Sequence, residues 1–167
     1  MSPFGKLRDS WHTGRLMIGM GEEIMNANSI LHGKKAQVFD VKSTATMIEA
    51  AQVMDDKRIG AVLVRDSKGN ICGVLSERDV SRHVARKGAA ALEQKVAECM
   101  SRKVITAKPD DTLDHLMNTM TERRIRHLPI VDEGKLLGMV SIGDVVKHKI
   151  TEAEAQTQAM HDYIAAG

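Results

Sequence analysis

Apolar positions fall into a pattern that the chain writes twice. A short β-branched run from Val38 to Val41 predicts a strand. Beyond it, Met47, Ala50, Ala51 and Met54 recur at the i, i+3, i+4, i+7 spacing of an amphipathic helix. Two apolar runs follow, Ile59 to Val64 and Ile71 to Leu75, with Gly69 in the polar stretch between them. They predict a strand, a turn and a second strand. A further helix opens at Ser76. The same order returns from Val104: a short run to Thr106, a helix face of Leu113, Leu116, Met117 and Met120, the runs Ile125 to Val131 and Leu136 to Val140, and a helix opening at Ser141. Pro109 followed by Asp110 and Asp111 predicts that one of these two acids caps the helix of the second copy.

The two copies align residue by residue. At an offset of 66, Val38 meets Val104, Lys42 meets Lys108, Met54 meets Met120, Arg58 meets Arg124, Ile59 meets Ile125 and Asp66 meets Asp132. The second turn is one residue shorter, so Gly73, Ser76 and Asp79 meet Gly138, Ser141 and Asp144 at an offset of 65. Such a repeat decides the architecture. It predicts an α+β fold of two tandem β-α-β-β-α units, residues 34–86 and 102–150, each sheet covered by helices on one side. Between them, residues 87–101 are Ala-rich. Gly88 is placed to stop the preceding helix, and Leu92 and Val96 are spaced for a helical connector that packs. Residues 151–167 read as a helical tail. Residues 1–33 have no counterpart in either copy and are predicted to be poorly ordered or helical, with Met1, Met17, Met20 and Met25 as alternative starts.

Composition removes several function classes. With 43% hydrophobic and 28% charged residues, the 167-residue chain suits one ordinary core and the soluble globular class. No apolar run is long enough for a membrane span or a signal-peptide core, and the two cysteines, Cys72 and Cys99, suit a reducing compartment, so the expected location is cytoplasmic. The balance of 24 basic against 22 acidic residues leaves a net charge of +2, and only 2% of residues are aromatic. Nucleic acid is therefore not expected as a partner, for want of both a charge excess and a stacking platform. Eleven methionines make the core aliphatic and thioether-rich.

The candidate chemistry lies in Gly-x-x-Ser-x-x-Asp, at the junction where a strand becomes a helix. One reading is a capping box, in which the Ser hydroxyl accepts from the third N–H of the helix and the carboxylate accepts from the Ser N–H. A second reading adds a ligand. A helix N-terminus carries free N–H groups that suit a phosphate, and a carboxylate beside it can accept both hydroxyls of a ribose. The same residues can serve both ends.

The paired motifs, together with "RRIRHLPIVD" before the second, resemble a tandem pair of cystathionine β-synthase (CBS) domains, the Bateman module, over residues 34 to 150. The resemblance implies two β-α-β-β-α units packed sheet to sheet about a pseudo-twofold axis. It also implies two clefts for adenine nucleotides (AMP, ADP, ATP, NAD(H) or S-adenosylmethionine) and a homodimer. Carried over, one site comprises Val74, Ser76, Arg78 and Asp79 with Ile105, Ile125, Arg126 and His127. Asp79 would hold the ribose, Arg126 and His127 would lie towards phosphate, and Ile105 and Ile125 would flank adenine. The other site comprises Met139, Ser141 and Asp144 with Gln37, Phe39, Ile59, Gly60 and Ala61. Gly60 and Ala61 stand where the second copy has Arg126 and His127, so the Ser76 site is expected to prefer more phosphate charge than the Ser141 site.

Other residues take plainer readings. Cys72 lies in an apolar strand as a small buried hydrophobe, and His83, His115 and His148 are exposed helix histidines without metal spacing. The cluster Arg123, Arg124, Arg126 and His127 alternates in direction along a strand. No catalytic triad, phosphate loop or dinucleotide fingerprint is present, so no catalysis is expected. The sequence thus predicts a regulatory module that senses adenine nucleotides and signals to an unknown protein. The alternative is a scaffold whose dimer is the function and whose clefts are vestigial.

Overall fold

The computed structural model describes residues 25–33 and 37–165, so the expectation for residues 1–24 lies outside the described residues. After helix α1 (Ala27–Gly33), the first repeat runs β1 (Asp40–Lys42), α2 (Met47–Lys57), β2 (Ala61–Arg65), β3 (Ile71–Ser76) and α3 (Glu77–Lys87). Its sheet has the order β1-β2-β3, with β1 parallel and β3 antiparallel to β2. The second repeat runs α5 (Leu113–Arg123), β4 (His127–Asp132), β5 (Lys135–Ser141) and α6 (Ile142–Ala165), with α4 (Val96–Cys99) preceding it. The architecture is the expected α+β pair of units.

Local chemistry sets the boundaries. Thr46 starts α2 with a full capping box to Glu49, and Thr112 starts α5 by accepting from the His115 N–H. The cap of α5 is therefore neither Asp110 nor Asp111. The Asp111 carboxylate instead accepts the Lys108 N–H at 2.8 Å, closing the turn before the helix. Both helices end on an arginine in the left-handed region, Arg58 at φ 52° and Arg124 at φ 54°. In each case the next amide, Ile59 or Ile125, bonds back to the carbonyl of Met54 or Met120 at 2.9 Å, the 6→1 bond of a Schellman end. In the second hairpin, Glu133 (φ 45°) and Gly134 (φ 77°) form a two-residue loop with positive φ at both positions, the geometry that matches strand twist.

Two further sequence expectations need correction. The strand expected at Val104 to Thr106 shrinks to a single parallel bridge of Ala107 with Ile130. Ala107 donates to Pro129 and accepts from Val131, but the donors that extend the ladder in the first repeat, Leu63 N–H to the Phe39 carbonyl and Ser43 N–H to the Arg65 carbonyl, are replaced by Pro129 and Pro109, so the ladder stops on both sides. The connector, expected as one helix, divides into a 3-10 segment (Gly88–Glu93) and the single turn α4. Gly88 does end α3, at φ 66°.

Each repeat has its own core. Met47, Ala50, Met54, Val62, Val64 and Leu75 are buried in the first, and Leu113, Leu116, Met120, Leu128, Ile130 and Val140 in the second. Each core is completed by the segment that precedes the other repeat in sequence. Val96, Cys99 and Met100 enter the first core, while Ala27, Ile30 and Leu31 from α1 enter the second. Matching hydrogen bonds fix the exchange, Val96 N–H to Ala45 C=O at 2.8 Å and Ala27 N–H to Asp111 C=O at 2.9 Å. This interleaving ties the two units together and places the start of α3 opposite β4, and the start of α6 opposite β2.

Candidate functional site

Both Ser-x-x-Asp corners are built in the same way. At the start of α3, Ser76 has extended backbone and its hydroxyl accepts the Asp79 N–H at 3.4 Å. In return, Asp79 Oδ2 accepts the Ser76 N–H at 3.0 Å and the Ser76 hydroxyl at 2.6 Å. At α6, Asp144 Oδ2 accepts the Ser141 N–H at 2.8 Å and its hydroxyl at 2.7 Å. The box engages Oδ2 in both copies, so capping holds each carboxylate in place at its helix start. The sequence missed a third member of the motif. His83 and His148, also 65 residues apart, set Nδ1 at 2.8 and 2.9 Å from the carbonyls of Asp79 and Asp144. Both rings are part-buried and brace the first turn, and of the three helix histidines only His115 matches the exposed reading.

A cavity of about 360 Å³ opens over the first corner. It is lined by Val74, Ser76, Arg78 and Asp79 from the first repeat and by Ile105, Ile125, Arg126 and His127 from the second, the eight residues that the sequence groups together. Its wall also holds Arg82, Lys103, Arg123 and Arg124, none of which the sequence reading assigned, besides Glu77, Ser101 and Val104. Arg82 follows Arg78 by one helical turn, a spacing that points to a shared face. Arg124 is brought in by its left-handed conformation, which no pattern of polarity announces. Six permanent cations therefore face two carboxylates, Glu77 and Asp79. Arg78 also spans the units, its Nη1 donating to the Arg124 carbonyl at 3.4 Å.

A second cavity, about 240 Å³, opens over the other corner and is lined by Met139, Ser141, Asp144, Gln37, Phe39, Ile59, Gly60 and Ala61, again the expected set. It also includes Val38, Arg58 and His127. The expectation of a cleft poor in cationic groups needs adjustment. Gly60 and Ala61 supply no charge, but Arg58 arrives from the end of α2 and the His127 ring reaches across from the second repeat. The contrast between the clefts remains six permanent cations against one.

The clefts share a wall. Gly60, Ala61 and His127 line both, and a Cβ added at Gly60 would stand 2.9 Å from His127 Cε1 and 3.4 Å from Glu77 Oε2. Glycine is needed there because the imidazole occupies the space a side chain would take. The start of each helix meets this wall through equivalent bonds, Glu77 N–H to the Gly60 carbonyl at 3.1 Å and Ile142 N–H to the Arg126 carbonyl at 2.8 Å.

The arrangement can hold a polyanion beside a diol, and among the described residues no cluster of His, Cys, Asp or Glu is placed to hold a metal ion. Cys99 is buried, and desolvation pushes its thiol above the ordinary range. Cys72 is only partly buried, with its Sγ 3.5 Å from the Val64 carbonyl, which corrects the fully buried reading. Among the described residues no helix is long and apolar enough to cross a membrane.

Comparison with known proteins bears on what such a pair of clefts is. A family model described as the CBS domain matches residues 34–86 and 96–150. The mitochondrial CBS domain-containing protein CBSX3 of Arabidopsis thaliana is 32% identical over 126 residues, covering 73% of this chain and 61% of its own length, so this chain spans less than two thirds of that relative. The CBS domain-containing protein YhcV of Bacillus subtilis is 30% identical over 128 residues, covering 77% of this chain and 90% of its own. Among solved structures, a CBS-domain containing protein from Agrobacterium tumefaciens is 39% identical, covers 74% of this chain and 92% of its own, and superposes with a TM-score of 0.72. A CBS domain protein from Pyrobaculum aerophilum, solved complexed with AMP, is 25% identical with a TM-score of 0.63 over 72% of this chain and 89% of its own. The repeated motifs, the matched family and the shared architecture agree: the chain belongs to the CBS-domain family, as a tandem pair.

Proposed function

We propose that the chain is a non-catalytic regulatory module that binds adenine nucleotides of the AMP, ATP or NAD(H) type in its two clefts and transmits their occupancy to a partner protein as a homodimer. The observation that carries this reading is the Ser76 corner. There a carboxylate fixed by its own capping box stands at a helix N-terminus, inside a cavity with six permanent cations contributed by both repeats. Asp79 is assigned to the ribose hydroxyls, Arg126 and His127 to phosphate, and Ile105 with Ile125 to the faces of adenine. Arg78, Arg82, Lys103, Arg123 and Arg124 extend the positive lining and favour ligands with more than one phosphate. The Ser141 cleft, with Arg58 as its one permanent cation, is assigned a less charged group such as a nucleoside or the adenosine half of a dinucleotide.

The AMP complex of the Pyrobaculum aerophilum relative supports the ligand class. Two free thiols, Cys72 and Cys99, suit the cytoplasm as the place of action. Because both clefts are walled by both repeats, a ligand that fits one arrangement of the units better than another shifts the balance between them. That differential affinity is what a partner would read.

A thermal-shift panel of AMP, ADP, ATP, NAD, NADH, S-adenosylmethionine, adenosine and GMP on ligand-stripped protein tests the reading. A ligand at about 100 times its dissociation constant stabilises the fold by about 2.7 kcal/mol, a clear rise in melting temperature. Adenine nucleotides should raise it and GMP should not. A melting temperature unmoved by all of them would contradict the sensor reading and favour the scaffold.

A further inference from the structure

Helix α6 is 24 residues long, and only its first part belongs to the second repeat. Val145 is buried in the core, and Lys149 is tied to Asp114 at 3.0 Å and to Glu152 at 2.8 Å. From Ala153 to Ala165 every residue is exposed. An isolated segment of this length is marginal as a helix in water, so its helical form requires packing against something. The segment also carries an apolar stripe. Val146, Ile150, Ala153, Thr157, Met160 and Ile164 follow one another at intervals of four, three, four, three and four residues, the spacing of a coiled-coil seam. The large members are strongly exposed, Ile150 at 55%, Met160 at 68% and Ile164 at 70%. Soluble domains rarely leave so continuous a line uncovered.

We infer that this seam is covered by α6 of a second copy of the chain, in parallel two-stranded pairing. The charges flanking the seam select both the partner and the direction. With Ile150, Thr157 and Ile164 at the a positions and Val146, Ala153 and Met160 at d, the parallel arrangement brings Glu154 of one helix beside Lys149 of the other, joining the cluster Lys149 forms with Asp114 and Glu152 in its own chain, and sets Gln156 against His161. The antiparallel arrangement of full overlap sets Glu154 against Glu154 at the centre, a like-charge contact. β-branched Ile150 and Ile164 at a are the residues that parallel dimers favour. The polar Thr157 at a and the small Ala153 at d keep the seam modest in strength. Its contribution adds to whatever contact the CBS units make. Such a seam would bring the two second repeats side by side and couple their Ser141 corners, which open the same helix.

The test uses the full chain in analytical ultracentrifugation, with Met160→Glu/Ile164→Glu as the perturbation. Both positions lie beyond the packed part of α6, so the melting temperature of the CBS core should be unchanged. The native chain should sediment as a dimer, and across a concentration series the double variant should show a dissociation constant raised by about 10-fold or more. Direction is read from Met160→Cys, which faces its own copy only in the parallel seam. Under mild oxidation it should form a covalent dimer much faster than the outward-facing control Gln158→Cys. A native monomer, a double variant that dimerises as tightly as the native chain, or equal cross-linking of the two cysteine variants would overturn the proposal. None of these results depends on nucleotide binding.

Discussion

Replacing Asp79 by alanine separates the two duties assigned to that carboxylate. In the folded chain its Oδ2 accepts from the Ser76 N–H and hydroxyl, and removal deletes half of a capping box while Ser76 still caps the Asp79 amide. Losing a cap interaction of this kind costs about 1 kcal/mol, which lowers the melting temperature of a chain of this size by about 2–4 °C. The ligand effect should be far larger. A carboxylate that accepts two ribose hydroxyls makes two charge-assisted hydrogen bonds of about 1.5–3 kcal/mol each, so their loss weakens binding by roughly 10² to 10⁴-fold. Isothermal titration of ATP and AMP into ligand-stripped native, Asp79→Ala and Asp144→Ala proteins, with circular dichroism as the control for folding, gives both numbers. The expected result is a folded Asp79→Ala protein that has lost its tight site, while Asp144→Ala keeps it. A folded Asp79→Ala protein with unchanged affinity would refute the ligand role, and an unfolded one would show that capping is the residue's main duty.

Further outcomes follow from the same geometry. Arg126→Ala should weaken nucleotides by about 10-fold to 100-fold through a lost charge-assisted contact while sparing adenosine, and equal losses in calorimetry would contradict the phosphate assignment. Gly60→Ala drives a methyl to 2.9 Å from His127 Cε1, so the ring must move and titrations should report changes at both clefts; a change confined to one would contradict the shared wall. Gly73→Ala places a Cβ 2.5 Å from Met100 Sδ and 3.0 Å from the Ser101 carbonyl, whose amide and carbonyl are both bonded to Val74, so thermal denaturation should show a loss of about 1–3 kcal/mol from overpacking. Glu49, which accepts from the Thr46 N–H and hydroxyl, is held below the ordinary carboxylate range mainly by the backbone bond. Its stabilising effect is therefore present above that range and lost as the pH falls through its lowered pKa. Glu49→Gln should lower the melting temperature at neutral pH, and its difference from the native chain should shrink in acid.

Much of this was legible because the chain states its plan twice. The offset of 66 that pairs Met54 with Met120 and Arg58 with Arg124 reports two equal units, and the periodicity of Met47, Ala50 and Met54 reports which face is buried. What escaped depends on backbone conformation and on long-range exchange. Left-handed turns at Arg58 and Arg124 place those residues on the cleft walls, and polarity patterns do not record φ. The short strand before α5 failed because Pro129 and Pro109 stand where Leu63 and Ser43 donate in the first repeat, a loss that shows only once the strands are set in register. Nothing local in "ANSILHG" says that it will complete the core of the more distant repeat, since its partners, Leu113 to Val145, lie over 80 residues away. The four added cations of the Ser76 cleft come from both repeats, and only the packing of the units gathers them.

The most direct test of the central claim is a crystal structure of the ligand-stripped chain grown with ATP. The account predicts nucleotide density in the cleft of Ser76 and Asp79, with the ribose hydroxyls on Asp79, adenine between Ile105 and Ile125, and the phosphates running towards Arg126. Clefts without nucleotide density at saturating ATP, or a nucleotide bound elsewhere with Asp79 still held only by its capping box, would contradict it.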